Sequence, residues 1–302
     1  MAAIIEVRDF AMRFGDLTVI DGLSFDVVEG ETFGLLGSNG SGKTTTIRAL
    51  LGIYEPSAGE LLVEGRRFHP SQSARLGYLP EERGLYQKES VIDVMAYFGR
   101  LKGLGKRDAV AWSLRYLEQV GLRSKARVRL DKLSGGEQQK VQLGVTIMND
   151  PAILILDEPT KGFDPVTRRL LLDLLAEQKS RGSSIVFISH QMDEVERLCD
   201  RILLLKDGRA EAYGPIPEVQ DKYGGRRIRL EFAGELPASD SFTAVVHDRN
   251  YAELAFGEGL DPNEVLRDLL AAGVQVRSYD VTRISMEEVF LRVYGAEAAK
   301  EA

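Results

Sequence analysis

The sequence predicts an α/β fold in which a mainly parallel sheet is followed by a smaller α+β domain. Residues 153–156 and 185–188 are apolar at every position, which is typical of strands buried on both faces of a parallel sheet. Residues 43–51 and 166–180 carry helical spacing and alternate with such strands. This alternation is the pattern that builds a parallel sheet covered by helices.

The individual elements follow from the same periodicities. Between residues 90 and 149 the strand signal is absent, and three amphipathic stretches predict a helical subdomain inserted into the α/β core (91–101, 108–120 and 134–148). Another short helix is predicted over 192–198. The predicted strands of this part of the chain are 4–10, 23–28, 32–36, 59–63, 75–79, 152–156, 184–188 and 201–206.

A domain boundary is predicted at Tyr223-Gly224-Gly225, so that residues 1–223 form the larger domain and residues 226–302 the smaller one. The tail 296–302 is expected to fray. The smaller domain is predicted to contain strands at 226–232, 242–247, 251–256 and 274–280 and helices at 262–272 and 285–293, an independent α+β unit.

Composition narrows the class of protein. The content of 44% hydrophobic and 28% charged residues is ordinary for a soluble globular protein. The net charge of −7 argues against a nucleic-acid binder that depends on overall basicity. Cys199 is the only cysteine, so no intrachain disulfide forms and a reducing compartment fits. Without a spanning apolar run or a signal-peptide pattern, we expect a cytosolic protein that serves any membrane from outside the bilayer.

A phosphate-binding loop follows directly after the predicted strand 32–36. Residues 37–45 match GxxxxGK[ST], in which the glycines let backbone N–H groups close around a triphosphate; the alternative is a Gly-rich surface turn. Lys43 would place positive charge on the β- and γ-phosphates, and the Thr44 hydroxyl would ligate Mg²⁺. The loop therefore predicts ATP and Mg²⁺ as ligands of Gly37, Ser38, Asn39, Gly40, Ser41, Gly42, Lys43, Thr44 and Thr45.

Two carboxylates end the buried strand 152–156. Ligands of open α/β sheets sit at the carboxyl ends of strands, so Asp157 is expected to hold Mg²⁺ and Glu158 to polarise the attacking water. Such a general base accelerates a reaction by roughly 10²–10⁴-fold. The alternative is a solvated pair at a strand end, which the apolar strand and the phosphate loop disfavour.

The segment Leu133-Ser134-Gly135-Gly136-Glu137 precedes the last predicted helix of the subdomain. It is either an anion site at a helix N-terminus or a capping box formed by Ser134 and Glu137. Following a phosphate loop and preceding an Asp-Glu pair, it makes the chain resemble the ATP-binding cassette (ABC) ATPases, whose signature is LSGGQ. The resemblance covers about residues 4–220 and implies a P-loop NTPase of the ABC ATPase type with an inserted helical subdomain, plus a small C-terminal α+β domain.

The resemblance also implies roles for single residues. Phe14 matches the aromatic that stacks on adenine, although a core aromatic is the alternative. Ser134, Gly135 and Gly136 would contact the γ-phosphate bound by a second subunit, and Asp164 matches the loop that communicates between the two sites. His190 matches the histidine that touches the γ-phosphate and is expected to act with Glu158 in catalysis, although a lone histidine is usually structural.

Two positions depart from the family pattern. Glu81 stands where the family usually has a glutamine that senses Mg²⁺ and contacts the permease. Its carboxylate can still ligate Mg²⁺ or its water, but it adds negative charge near the phosphates. Glu137 replaces the glutamine of the signature. Neither position touches the core phosphate and base residues, so we expect hydrolysis to be retained and nucleotide-dependent coupling to be retuned.

The segment 79–86 and the C-terminal domain, with its 284–290 segment, look like a narrower group of bacterial ATPases. These pair with separate membrane subunits and export drugs, peptides, lipids or sodium. The resemblance thus implies a Mg²⁺-dependent ATPase subunit that pairs with a second nucleotide-binding subunit, a homodimer or a heterodimer. It would power an integral membrane permease from the cytoplasmic face of the cell membrane.

Two other classes of function fit the sequence less well. A soluble ABC ATPase acting on DNA or ribosomes usually carries coiled coils, zinc modules or tandem cassettes, which are absent from this sequence. Basic clusters at 100–107 and 123–129 are the best sign of nucleic-acid binding. A solvated helical face is the favoured interpretation of these clusters, and a membrane-facing surface is the second. We expect no nucleic-acid partner. A regulatory module without turnover is disfavoured by the intact Glu158.

Overall fold

The computed structural model describes residues 2–82, 84–257 and 259–295. The chain divides into two compact units, the first ending at Gly214 and the second beginning at Pro215. The predicted frayed tail, 296–302, lies outside the described residues.

The first unit is built on a sheet of six strands in the order β5-β6-β7-β3-β8-β9. The pairs β5–β6, β6–β7, β7–β3 and β3–β8 are parallel, so the carboxyl ends of five neighbouring strands meet at one edge. Strands β3, β6 and β7 are buried at every position, as their apolar sequences predict. The strands are β3 (Thr32–Leu36), β5 (Leu76–Leu79), β6 (Ile153–Asp157), β7 (Ser184–Ile188), β8 (Arg201–Lys206) and β9 (Arg209–Pro215).

A second, antiparallel sheet of order β2-β1-β4 shares a core with this one. Its strands are β1 (Ala3–Phe14), β2 (Leu17–Val28) and β4 (Ala58–Val63). Strands β1 and β2 extend beyond the predicted 4–10 and 23–28 into a hairpin around Gly15, whose φ of 59° suits the turn. Strand β9 was not predicted, because Ala212 and Gly214 are its only buried residues and the apolar signal is weak.

The helical subdomain is confirmed as α2 (Val91–Leu101), α3 (Lys106–Gln119) and α4 (Gly135–Ile147). Tyr116 joins α3 to α4, because its hydroxyl donates to the Lys140 carbonyl at 2.6 Å. A Cβ at Gly144 would lie 2.3 Å from the Tyr116 ring, so the close approach of the helices requires glycine there. The other helices of the first unit are α1 (Lys43–Leu50), α5 (Pro165–Ser180) and α6 (Met192–Leu198).

The described residues of the second unit form a four-stranded antiparallel sheet of order β11-β12-β10-β13 and three helices. It begins at Pro215, earlier than the predicted boundary at 223–226, because α7 packs against α9 of the same unit. A core around Ile228, Leu230 and Phe232 lies between the sheet and α8. The elements are α7 (Ile216–Tyr223), β10 (Arg226–Ala233), β11 (Phe242–Asp248), β12 (Tyr251–Phe256), α8 (Pro262–Ala271), β13 (Gln275–Arg283) and α9 (Met286–Tyr294).

The apolar character of the helices and the placement of the basic residues bear on the predicted membrane and nucleic-acid partners. Among the helices formed by the described residues, none combines the length and apolar character needed to cross a membrane. Lys102, assigned from sequence to a solvated basic cluster, is largely buried instead and donates to the Thr146 carbonyl at the end of α4. Its burial lowers the pKa of Lys102 to about 8. Lys125 of the other cluster is bound to Glu137 at 2.6 Å.

Candidate nucleotide-binding site

The phosphate loop runs from the end of β3 into α1. Gly40 and Gly42 have φ angles of 78° and 106°, a backbone conformation that side chains disfavour. A Cβ at Gly37 would lie 2.4 Å from Ser41 Oγ, and one at Gly42 would lie 2.3 Å from Ile20 Cδ1. Glycine is therefore required at Gly37 by space, since the Leu205 carbonyl would also lie 2.6 Å from that Cβ, and at Gly42 by backbone conformation.

The side chains of the loop point to an anionic ligand. The Lys43 ammonium donates to the carbonyls of Gly37 and Ser38 at 2.7 and 2.9 Å, which holds it inside the loop. The Ser41 hydroxyl is buried and has no hydrogen-bond partner among the described residues. Buried polar groups normally have partners, so an unpaired hydroxyl beside a glycine-rich loop and a helix N-terminus fits a phosphate ligand.

These groups face a cavity of about 320 Å³ at the carboxyl edge of the main sheet. Residues from three other strand ends reach the same space: Glu81 after β5, the Asp157–Glu158 pair at the end of β6, and His190 after β7. The topology thus brings together residues that are far apart in sequence. The cavity is lined by Val19, Asn39, Gly40, Gly42, Lys43, Thr44, Thr45, Glu81, Asp157, Glu158 and His190.

The Asp157 and Glu158 carboxylates are almost fully buried. Burial, with a contribution from Glu81, raises the pKa of Asp157 to about 6. Burial and the neighbouring Asp157 raise the pKa of Glu158 to about 7. Both shifts follow from removing a carboxylate from water and placing another negative charge beside it.

Glu158 faces His190, with 3.5 Å between Oε1 and Nε2. The Glu158 backbone N–H donates to the Ile188 carbonyl at 2.9 Å, so the ends of β6 and β7 are tied together. Glu158 also has a φ of 50°, an uncommon conformation for a residue with a side chain. Strained backbone is often found at functional sites, and here it coincides with the proposed base.

Glu81 does not stand alone at the edge of the cavity. Its carboxylate accepts a hydrogen bond from Lys161 at 2.6 Å, and both side chains are about half exposed. This hydrogen bond raises the pKa of Lys161. The negative charge that the sequence places near the phosphates therefore has a cationic neighbour, which the sequence analysis did not identify.

The signature segment forms a capping box at the start of α4, one of the two alternatives left open by the sequence. Ser134 Oγ accepts from the Glu137 N–H at 3.3 Å, and Glu137 Oε2 accepts from the Ser134 N–H at 3.0 Å. Ser134, Gly135 and Gly136 lie outside the lining of the cavity. The bond from Lys125 and the capping bond from Ser134 lower the pKa of Glu137.

Further along α4, Gln139 contacts the segment that follows the proposed base. Its side-chain amide donates to the carbonyls of Glu158 and Pro159 at 3.2 and 3.0 Å. This link is not predictable from the sequence, since only the tertiary structure brings α4 to the end of β6.

Two further predicted residues are placed as follows. Asp164 caps α5 by accepting from the Val166 and Thr167 N–H groups, both at 3.0 Å. Phe14 is 46% exposed, so it is not a core aromatic; its ring contacts the edge of Tyr54 at a centroid distance of 5.4 Å. Adenine stacking by Phe14 and communication through Asp164 stay predictions.

A parallel-sheet domain with a glycine-rich phosphate loop, an Asp-Glu pair, a helical insertion and a capped signature helix defines the class of ATP-binding cassette ATPases. This chain belongs to the ATP-binding proteins of ABC transporters. The family model for ABC transporters matches residues 20–161. A second model, for the C-terminal domain of DrrA1-3-like ATP-binding proteins, matches residues 214–294.

Individual relatives agree with this assignment. An uncharacterized ABC transporter ATP-binding protein of Methanocaldococcus jannaschii is 46% identical over 71% of this chain and 79% of its own length. A Nod factor export ATP-binding protein I of Burkholderia lata is 38% identical over 98% of both chains. Among solved structures, an ATP-binding subunit of an ABC transporter is 28% identical, with a TM-score of 0.69 over 73% of this chain and 93% of its own.

Proposed function

We propose that this chain is the Mg²⁺-dependent, ATP-hydrolysing subunit of an ABC exporter, acting on a separate integral membrane permease at the cytoplasmic face of the cell membrane. Export is supported by the Nod factor export relative, which matches nearly the whole chain, and by the DrrA-like match of the C-terminal domain. The transported substrate is not specified by these similarities.

The observation that carries the proposal is the buried Glu158 carboxylate, 3.5 Å from His190 and beside the phosphate loop. With its pKa raised to about 7, Glu158 is more basic than an ordinary carboxylate and better suited to take a proton from an attacking water. Lys43 and the loop N–H groups would hold the β- and γ-phosphates, and a neutral His190 would orient water and γ-phosphate.

Thr44 and Asp157 are the residues proposed to hold Mg²⁺. Their hydroxyl and carboxylate oxygens are the hard ligands that Mg²⁺ prefers, and this ion usually takes one or two protein carboxylates while phosphates and water complete its shell. When bound, Mg²⁺ would neutralise charge on the phosphate oxygens. Glu81 is a weaker candidate, because Lys161 binds its carboxylate.

The remaining site residues would act between subunits. Ser134, Gly135 and Gly136 lie outside the cavity that holds the loop, so we propose that they complete the site of a second nucleotide-binding subunit in a head-to-tail dimer. Asp164, which caps α5 close in sequence to Glu158, would carry information between the two sites. A nucleotide-binding role for the first unit and an accessory or regulatory role for the second unit, which begins at Pro215, belong to the same proposal.

The substitution Glu158→Gln tests the proposed function. It removes the base and keeps Lys43, Thr44 and Asp157, so ATP binding should persist while turnover falls by roughly 10²–10⁴-fold. The matched control is Glu177→Gln, an exposed carboxylate on α5 that pairs with Arg181. A Glu158→Gln variant whose rate stays within a few-fold of the parent would remove Glu158 as the base.

The rival function, a soluble ATPase acting on DNA or ribosomes, is tested by binding to duplex DNA and RNA. A net charge of −7 leads us to expect weak binding at physiological salt. Tight binding with a steep salt dependence would favour the rival. Co-purification of an integral membrane protein with the full chain from membranes would support the transporter.

A further inference from the structure

Glu194 on α6 is a buried carboxylate for which neither the sequence analysis nor the proposed mechanism has a role. Its side chain is completely buried, although α6 otherwise lies near the surface with exposed residues on its other face. A buried carboxylate is costly unless it is hydrogen-bonded or paired. The contacts that stabilise Glu194 therefore indicate why the position carries an acid.

Those contacts come from the two segments that hold the proposed catalytic pair. Thr160 Oγ1 donates to Glu194 Oε2 at 2.8 Å, and Ser189 Oγ donates to the same oxygen at 3.2 Å. Thr160 lies two residues after Glu158, and Ser189 directly precedes His190. Both hydroxyl-bearing residues are themselves buried.

Two further contacts fix the same group. Ser189 Oγ also accepts from the Gln191 N–H at 3.0 Å, so the turn around His190 is tied to the hydroxyl that Glu194 holds. The second Glu194 oxygen, Oε1, lies 3.4 Å from Nε of Arg168, which is a residue of α5. Desolvation is the largest influence on Glu194 and raises its pKa, while the bonds from Thr160 and Ser189 oppose that shift.

We propose that Glu194 is a positioning residue that holds Glu158 and His190 at their working separation by bridging Thr160 and Ser189. One oxygen that accepts from both segments ties their side chains together, in addition to the backbone bond from Glu158 to Ile188. A buried carboxylate that is hydrogen-bonded to two segments in this way orients the catalytic groups that those segments carry. The inference rests on the proposed function, because it assigns Glu194 to the site of ATP hydrolysis.

The substitutions Thr160→Val and Glu194→Gln test the bridge. Valine keeps the shape of threonine and removes the donor. Glutamine keeps an oxygen for both hydroxyls but turns an amide N–H₂ toward Arg168. Small misplacements of catalytic groups cost up to about 100-fold, so we expect kcat to fall about 10- to 100-fold in Thr160→Val while ATP affinity stays within about twofold. Thr160→Ser, which restores the hydroxyl, should recover most of the rate.

Ser183→Ala is the matched control. Ser183 is buried like Ser189 and donates to the Pro151 carbonyl at 2.7 Å, but it precedes β7, whereas Ser189 follows that strand at the site edge. Its loss should lower the melting temperature without lowering kcat. An equal loss of kcat in Ser183→Ala and Thr160→Val would assign the effect to general destabilisation and overturn the proposal.

A readout that needs no turnover separates this inference from the proposed function. The chain has three histidines, so selective labelling gives three ring signals by NMR. In Thr160→Val and Glu194→Gln the His190 signal should move, while those of His69 and His247 stay in place. An unmoved His190 signal together with an unchanged kcat overturns the positioning role. If the parent protein does not hydrolyse ATP but the His190 signal still moves in the two variants, the proposed function is overturned and the bridge is kept.

Discussion

Glu81 and Lys161 form an ion pair of 2.6 Å that joins the segment after β5 to the segment after β6. The resemblance to ABC ATPases implies a neutral glutamine at the position where this chain has Glu81. Both members of the pair act on the neighbouring carboxylates: Glu81 raises the pKa values of Asp157 and Glu158, and Lys161 lowers them. Lys161 thus offsets the extra negative charge at the edge of the proposed phosphate site.

Removal of that compensation should weaken nucleotide binding. Exposed pairs contribute about 0.2–1 kcal/mol, so Lys161→Met should raise the Kd for ATP about two- to fivefold. The double variant Glu81→Gln/Lys161→Met, which makes the pair neutral, should return it close to the parent value. Lys179→Met is the control, since its pair with Asp200 lies at the opposite edge of the sheet. Equal Kd values in the single and double variants would contradict the compensation.

The geometry of the phosphate loop makes a second prediction. Gly42→Ala forces a side chain into a φ of 106° and places its Cβ 2.3 Å from Ile20 Cδ1, so the backbone of the loop is strained and the Ile20 side chain or the loop must shift. We expect ATP affinity to fall by about tenfold or more, since a strained residue costs about 1–3 kcal/mol and the N–H groups move as well. Gly52→Ala has a φ of 67° and room for a methyl group, and it should affect stability alone. The ATP affinities are compared by titrating each variant with ATP at a temperature where all of them are folded.

The burial of Lys102 predicts how the free energy of unfolding depends on pH. Its pKa is lowered by burial to about 8 in the folded protein, against about 10.5 in the unfolded chain, so the unfolded state binds more protons between these values. Stability should therefore rise with pH across that window, by up to about 3 kcal/mol from this one group. In Lys102→Met the rise should be absent, whereas the exposed Lys106→Met should retain it. Denaturant unfolding at several pH values between 7.5 and 10 measures this, and parallel curves for the parent and Lys102→Met would refute it.

The two compact units make a prediction about truncation. Every residue that lines the proposed nucleotide cavity lies before Pro215. A chain ending at Pro215 should bind ATP within about twofold of the parent, while its basal rate, dimer stability or coupling to a permease changes. A chain ending at Tyr223 should be less soluble, because α7 would keep buried residues such as Ile216 and Val219 without the α9 on which it packs. Loss of ATP binding by a folded chain ending at Pro215 would contradict the two-domain division.

Much of the site was predictable because its motifs are local. A phosphate loop, a helix cap and a carboxylate pair at the end of an apolar strand each depend on residues adjacent in sequence. Backbone conformation and hydrogen bonds within a few residues decide them, so the capping box of Ser134 and Glu137 and the placement of Lys43 follow from the pattern. Strand β9 was missed because its buried residues, Ala212 and Gly214, are too small to give a clear apolar alternation.

The sequence by itself determined the class of this protein, its phosphate loop and its candidate base. Only the tertiary structure decided which distant groups meet: Lys161 with Glu81, Lys102 with the end of α4, and Glu194 with Thr160 and Ser189. The reason is physical. Parallel strands placed side by side bring their carboxyl ends together whatever their order in the chain, and the packing of helices against that edge selects which side chains are buried there.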